Sequence, residues 1–118
     1  MNRPTLDQLF AAIDSRDADR FASFLTEDGR FVYGSSPAVA GRAAVRDFVA
    51  GFFSQLKGLR HSVDKIWEHP GELLMRGNVT YTLPDGRVVT VPFVNVLTLE
   101  GEKISAYEVF VDPTPLAG

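Results

Sequence analysis

The chain contains no cysteine. Disulfides, thiol nucleophiles and cysteine-bound metals are therefore excluded. Histidine is nearly as scarce: His61 and His69 are the only two, too few to build a histidine-rich metal site by themselves. Lys and Arg form no tract, and the formal net charge is −3. Phosphate binding needs clustered cations, so nucleic acid is not an expected partner. No apolar run approaches the ~20 residues of a membrane span, so no membrane partner is expected either. The opening Met1-Asn2-Arg3-Pro4 lacks the apolar core of a secretory signal. A soluble cytoplasmic protein is the expectation these absences leave.

What is present is ordinary for a globular fold. The 118 residues, 45% hydrophobic and 23% charged, predict one domain spanning 1–118 around one core. Thr5 and Gln8 have capping-box spacing, which starts a first helix after Thr5 with Leu6, Leu9, Phe10 and Ile13 on one face. Asp17 is a good N-cap for a short second helix with Phe21, Phe24 and Leu25 turned inward. Arg30 to Tyr33 reads as a short strand. The longest helix runs from Ala43 to Leu56, its apolar Val45, Phe48, Val49, Phe52, Phe53 and Leu56 holding helical spacing until Gly58. Leu59 to Trp67 is a strand that places Leu59, His61, Val63 and Trp67 on one side.

Leu73 to Val111 then reads as three antiparallel strands. Asp85-Gly86 makes the first turn, and Glu100-Gly101-Glu102-Lys103 the second. The order α-α-β-α-β-β-β-β defines an α+β fold with helices on one face of a curved, mostly antiparallel sheet. A two-residue Asp85-Gly86 loop pairs Thr82 with Val89, Thr80 with Val91, Asn78 with Phe93 and Arg76 with Asn95. Hydropathy alone sends Met75, Val79 and Tyr81 to the core and leaves Arg76 and Asn78 in solvent. The alternative turns the Arg76, Asn78 and Asn95 side inward beside Phe93, Val91 and Leu97. Asn95 within Val94-Asn95-Val96-Leu97 favours the alternative, because a buried amide needs a partner and Arg76 lies across the ladder in that register. The final strand is open in the same way. A bulged residue at the second turn aims Tyr107 inward and Glu108 away, and its absence reverses them.

The element order resembles the nuclear transport factor 2-like superfamily, in its SnoaL-like and ketosteroid-isomerase-like branches. Phe24-Leu25-Thr26-Glu27-Asp28-Gly29 leading into a strand, Gly41-Arg42-Ala43-Ala44-Val45 opening the long helix, Glu102-Lys103-Ile104, and Tyr107 through Asp112-Pro113 carry the resemblance. It implies a cone-shaped sheet wrapped round three N-terminal helices with a pocket between them. It also turns the Arg76 side inward. In the epoxide-hydrolase branch, a pocket Arg and Asp fall on Arg76 and Asn78, and a second pocket Asp falls on Val109. In the ketosteroid-isomerase branch the carboxylate base falls on Tyr33, an oxyanion-hole tyrosine falls near Leu9, and the oxyanion-donating acid falls on Asn95. Neither branch's carboxylate is kept. The SnoaL-like branch often sends an inward histidine from the position of His61.

The resulting candidates are His61 as acid and base, with Asn95 and Arg76 holding a developing oxyanion. Tyr33, Asn78, Phe93, Trp67, Tyr107 and Val109 are the candidate substrate contacts. The expected pocket takes one small hydrophobic ligand in ~300–1,000 Å³. The expected chemistry is proton transfer of the isomerase, cyclase or dehydratase (lyase) type on a carbonyl- or hydroxyl-bearing compound, with no metal and no organic cofactor. The alternatives are a non-catalytic small-ligand binder and a dimerisation module. The other sheet face, with Tyr81, Pro92, Val94 and Val96, is the expected homodimer surface.

Overall fold

The first helix begins three residues earlier than the Thr5–Gln8 spacing predicts. In the computed structural model, which describes residues 1–117, α1 runs Arg3–Asp14 and its cap is Asn2. The Asn2 carboxamide oxygen accepts the Thr5 N–H at 2.9 Å and the Thr5 hydroxyl at 2.7 Å, so Thr5 is spent inside the first turn. α2 is the five-residue Ala18–Ala22, capped as expected by Asp17, which accepts the Arg20 N–H at 3.0 Å. α3 spans Arg42–Phe53 and buries Val45, Val49 and Phe53.

Six strands follow the order β2-β1-β6-β5-β4-β3. They are β1 Leu25–Tyr33, β2 Val39–Ala40, β3 Gly58–His69, β4 Glu72–Thr82, β5 Val88–Glu100 and β6 Lys103–Val111. A four-residue α4, Thr114–Ala117, closes the described chain. The expected α+β layout is present, with the two-residue β2 and α4 added to it. All neighbours are antiparallel except β1 and β6, which pair in parallel. Curvature is measurable from one contact. Tyr33 is level with Val109, Asn95 and Met75, so three strand steps and six residues separate it from Tyr81, ~24 Å on a flat sheet, yet the two hydroxyls meet at 2.7 Å.

The register differs by one residue from the two-residue loop. Leu83 N–H donates to Arg87 O at 2.8 Å, and Gly86 N–H donates to Leu83 O at 2.9 Å. The loop therefore holds three residues, Pro84-Asp85-Gly86. Gly86 sits at φ +90°, which an L side chain rarely adopts. Asn95 consequently faces Met75, Phe93 faces Gly77 and Arg76 faces Val94. A slip of one residue reverses every side chain of β4. Met75, Val79 and Tyr81 are buried, whereas Arg76 and Asn78 are exposed on the outer face.

Two bulges set the remaining faces. On β3, Asp64 is an extra residue between the pairs Val63–Gly77 and Lys65–Arg76. It turns Ile66 inward and Trp67 outward, overturning the parity drawn from an unbroken strand. Gly77 opposite that bulge tolerates no Cβ, which would lie 1.9 Å from Ser62 O. On β6, Ser105 is the extra residue between Leu99–Ile104 and Thr98–Ala106. Tyr107 therefore points inward, 2% exposed, and Glu108 points out opposite Val96.

Candidate functional site

The concave side of the sheet and α3 enclose a cavity of about 50 Å³. That is room for a few waters, not the larger pocket expected from sequence. Its walls are predominantly aromatic: Phe21, Phe31, Phe52, Phe53 and Phe93 among them. Phe48 also lines it while 39% exposed, which puts the cavity's outer side at α3.

His61 reaches the cavity from β3, and its partner is Asp14 at the C-terminal end of α1. One Asp14 carboxylate oxygen lies 2.6 Å from His61 Nδ1, and the other accepts the His61 backbone N–H at 3.1 Å. The carboxylate thus grips both ring and strand. A carboxylate oxygen accepts, so Nδ1–H donates, and in the neutral ring the lone pair is then at Nε2. Phe10 (5.2 Å between ring centroids) and Phe93 (5.3 Å, edge-on) hold the imidazole from two sides. The side chain of His61 is 12% exposed and that of Asp14 is 27% exposed, so the pair links the cavity to solvent.

Asn95 is 1% exposed on β5. Its Nδ2–H donates to the Tyr107 hydroxyl at 3.2 Å, and its Oδ1 is buried with no partner among the described residues. Tyr107 accepts that bond and keeps its own O–H hydrogen to donate. Burial, with the nearby Asp14 charge adding to it, pushes the Tyr107 phenol well above its ordinary range, so it stays a neutral donor. Asn95 and Tyr107 together offer the cavity one donor and one acceptor. A third polar locus is the Tyr33–Tyr81 hydroxyl pair. Burial raises both phenols; the Tyr33–Tyr81 bond adds to this at Tyr81 and opposes it at Tyr33.

Of the residues singled out from sequence, Tyr33, His61, Phe93, Asn95, Tyr107 and Val109 line one cavity. Arg76, Asn78 and Trp67 do not. The three-residue turn sends Arg76 and Asn78 outward, and the Asp64 bulge does the same to Trp67. On the outer face Trp67 is flanked by Lys65 Nζ at 4.8 Å and by the Arg76 guanidinium at 5.7 Å, a cation–π cluster. Tyr81, assigned from sequence to the outer face, is 2% exposed and belongs to the cavity. Pro92, Val94 and Val96 do lie outside.

Sequence reasoning missed Asp14 and Tyr81. Asp14 had a readable signal: it lies one helical turn after Phe10, on the edge of the apolar face, and both residues meet His61.

A sequence model of the SnoaL-like domain matches residues 6–107. The chain belongs to the SnoaL-like family. Comparison with curated proteins finds no significant match. Solved structures share the fold. A putative SnoaL-like polyketide cyclase from Jannaschia sp. CCS1 superposes with a TM-score of 0.83 at 22% identity, covering 97% of this chain and 87% of that one. TerC, co-crystallised with polyporic acid, gives 0.82 at 21% identity, covering 97% and 93%. A protein from Catenulispora acidiphila with a ketosteroid isomerase-like fold, in complex with trimethylamine, gives 0.84 at 13% identity, covering 93% and 86%. Members of this fold often bind small molecules as isomerases or cyclases.

Proposed function

We propose that the protein catalyses acid–base proton transfer on a small hydrophobic compound bearing a carbonyl or hydroxyl group, with isomerisation, cyclisation or dehydration as the outcome. The 2.6 Å Asp14–His61 pair opening onto an aromatic-walled cavity carries this reading. His61 Nε2 takes a proton from carbon beside the carbonyl. Asp14 holds Nδ1–H and stabilises the imidazolium that forms. The Tyr107–Asn95 pair donates a hydrogen bond to the developing enolate oxygen. The imidazolium then returns the proton, to a different carbon in an isomerisation or to a departing hydroxyl in a dehydration. Such a base supplies ~10²–10⁴ in rate and one oxyanion donor ~10²–10³. No step needs a metal or organic cofactor. The structural likeness to a putative polyketide cyclase supports a cyclisation on an oxygenated ring precursor within the same class.

The test is deuterium exchange into enolisable ketones such as cyclohexenone and 2-tetralone, followed by NMR in D₂O. The wild type is expected to accelerate exchange, and His61→Gln to lose that acceleration ~10²-fold or more while still binding ketone. Binding of ketone without any exchange by the wild type refutes catalysis and leaves the non-catalytic binder.

A further inference from the structure

The Tyr33–Tyr81 pair has one hydrogen too many. Two phenols carry two O–H hydrogens, and their mutual 2.7 Å contact uses one. The second finds no acceptor among the described residues, although Tyr81 is 2% exposed. Tyr81 is buried and Tyr33 half-buried, and either can be the donor, so this hydrogen is open to whatever oxygen occupies the cavity, a water or a ligand.

Phe52 controls access to that hydrogen. Its ring packs on Tyr33 at 5.0 Å and edge-on against Tyr81 at 6.1 Å. It lines the inner cavity, and it also lines a surface groove of about 500 Å³ with Gln55, Leu83, Arg87 and Leu116. Phe52 is thus the partition between a space too small for an organic ligand and one open to solvent. Swinging this half-buried ring to another rotamer would join the two and uncover the hydroxyl pair.

From this we infer that Tyr33 and Tyr81 form a second oxygen-binding subsite. It holds a carbonyl or hydroxyl oxygen at the end of the ligand remote from His61, and the ligand enters from the groove past Phe52. The inference rests on the small-molecule reading above and narrows it to ligands with oxygen at two ends of a flat frame. Tyr81 pairs with Leu59, two residues along β3 from His61, so both loci open on the same stretch of the concave face.

The test uses 2,6-dihydroxynaphthalene and 2-naphthol, with binding followed by their fluorescence. The wild type is expected to prefer the diol about five- to tenfold, one hydrogen bond's worth. Y33F/Y81F removes both partners together and is expected to bind the two probes alike. Wild-type protein labelled with ¹³Cζ-tyrosine gives an independent readout that needs no variant. The Tyr33 and Tyr81 resonances are expected to shift with the diol. A preference that persists in Y33F/Y81F, or resonances unmoved by bound diol, overturns the subsite alone. Failure of both probes to bind the wild type overturns the small-molecule reading and the subsite with it.

Discussion

Asp14 decides what His61 is able to do. An imidazole has two tautomers, and the one with a lone pair at Nε2 is selected by an acceptor at Nδ1. The Asp14 carboxylate supplies that acceptor at 2.6 Å and anchors itself on the His61 backbone N–H. Asp14→Asn keeps the shape and spoils the chemistry. Its amide oxygen still accepts the backbone N–H, which turns the NH₂ toward Nδ1 and drives the hydrogen to Nε2. The exchange rate is expected to fall ~10² or more, and the ¹⁵N shifts of His61 to report the switch from Nδ1–H to Nε2–H. An unchanged tautomer with an undiminished rate would show that Asp14 only braces the strand. At the same scale Asn95 was legible: an amide inside an apolar run had to have a partner. Its identity was not, because Tyr107, and not Arg76, sits within reach.

At the scale of elements, single inserted residues choose the contents of the cavity. Asp64 turns Trp67 out, and Ser105 turns Tyr107 in and Glu108 out. Each bulge also adds twist, which helps the sheet close round the cavity. The β3 bulge depends on Gly77, since any Cβ there overlaps the Ser62 carbonyl, a backbone atom that no rotamer change moves. Gly77→Ala is therefore expected to destabilise by ~3 kcal/mol, the upper end of overpacking costs. Urea unfolding checks this, and a loss under ~0.5 kcal/mol would mean that the strand pair relaxes freely. Periodicity located five of the six strands, missing the two-residue β2, and fixed no bulge within them, because an extra residue leaves composition and hydropathy unaltered.

The whole molecule has an outer sheet face with its own design. Leu74, Val94 and Val96 are half-buried there, and Phe110 is 56% exposed. Lys65 and Arg76 flank them on the β3–β4 side and Glu108 on the β6 side. Arg76 is level with Val94 and Glu108 with Val96, so a two-fold axis along β5 would bring these opposite charges to the same margin of the interface, two residues apart. Light scattering is expected to give a homodimer of twice 13.0 kDa, and Val94→Glu to give a monomer with its circular dichroism intact. A wild-type monomer at ~100 μM, far above the Kd of a stable interface, would refute it. The proposed face has lost Tyr81 to the interior and kept Pro92, Val94 and Val96.

Sequence by itself determined the order of elements, the α+β class, the SnoaL-like resemblance and the inward placement of His61, Asn95 and Tyr33. The element order and class rest on local spacing, in helical and alternating periodicity and a cap at Asp17, whereas the inward placement of the three side chains is what the resemblance implied. Tertiary structure alone decided the register of β4, the facing of Arg76, Asn78 and Trp67, and the meeting of Asp14 with His61 across 47 positions. The physical reason is that strand facing alternates every residue. A turn of three residues instead of two, or one bulge, inverts it without leaving a mark in the hydrophobic pattern. A contact between helix end and strand middle depends on how far the sheet curls, which is set by the packing of the whole chain.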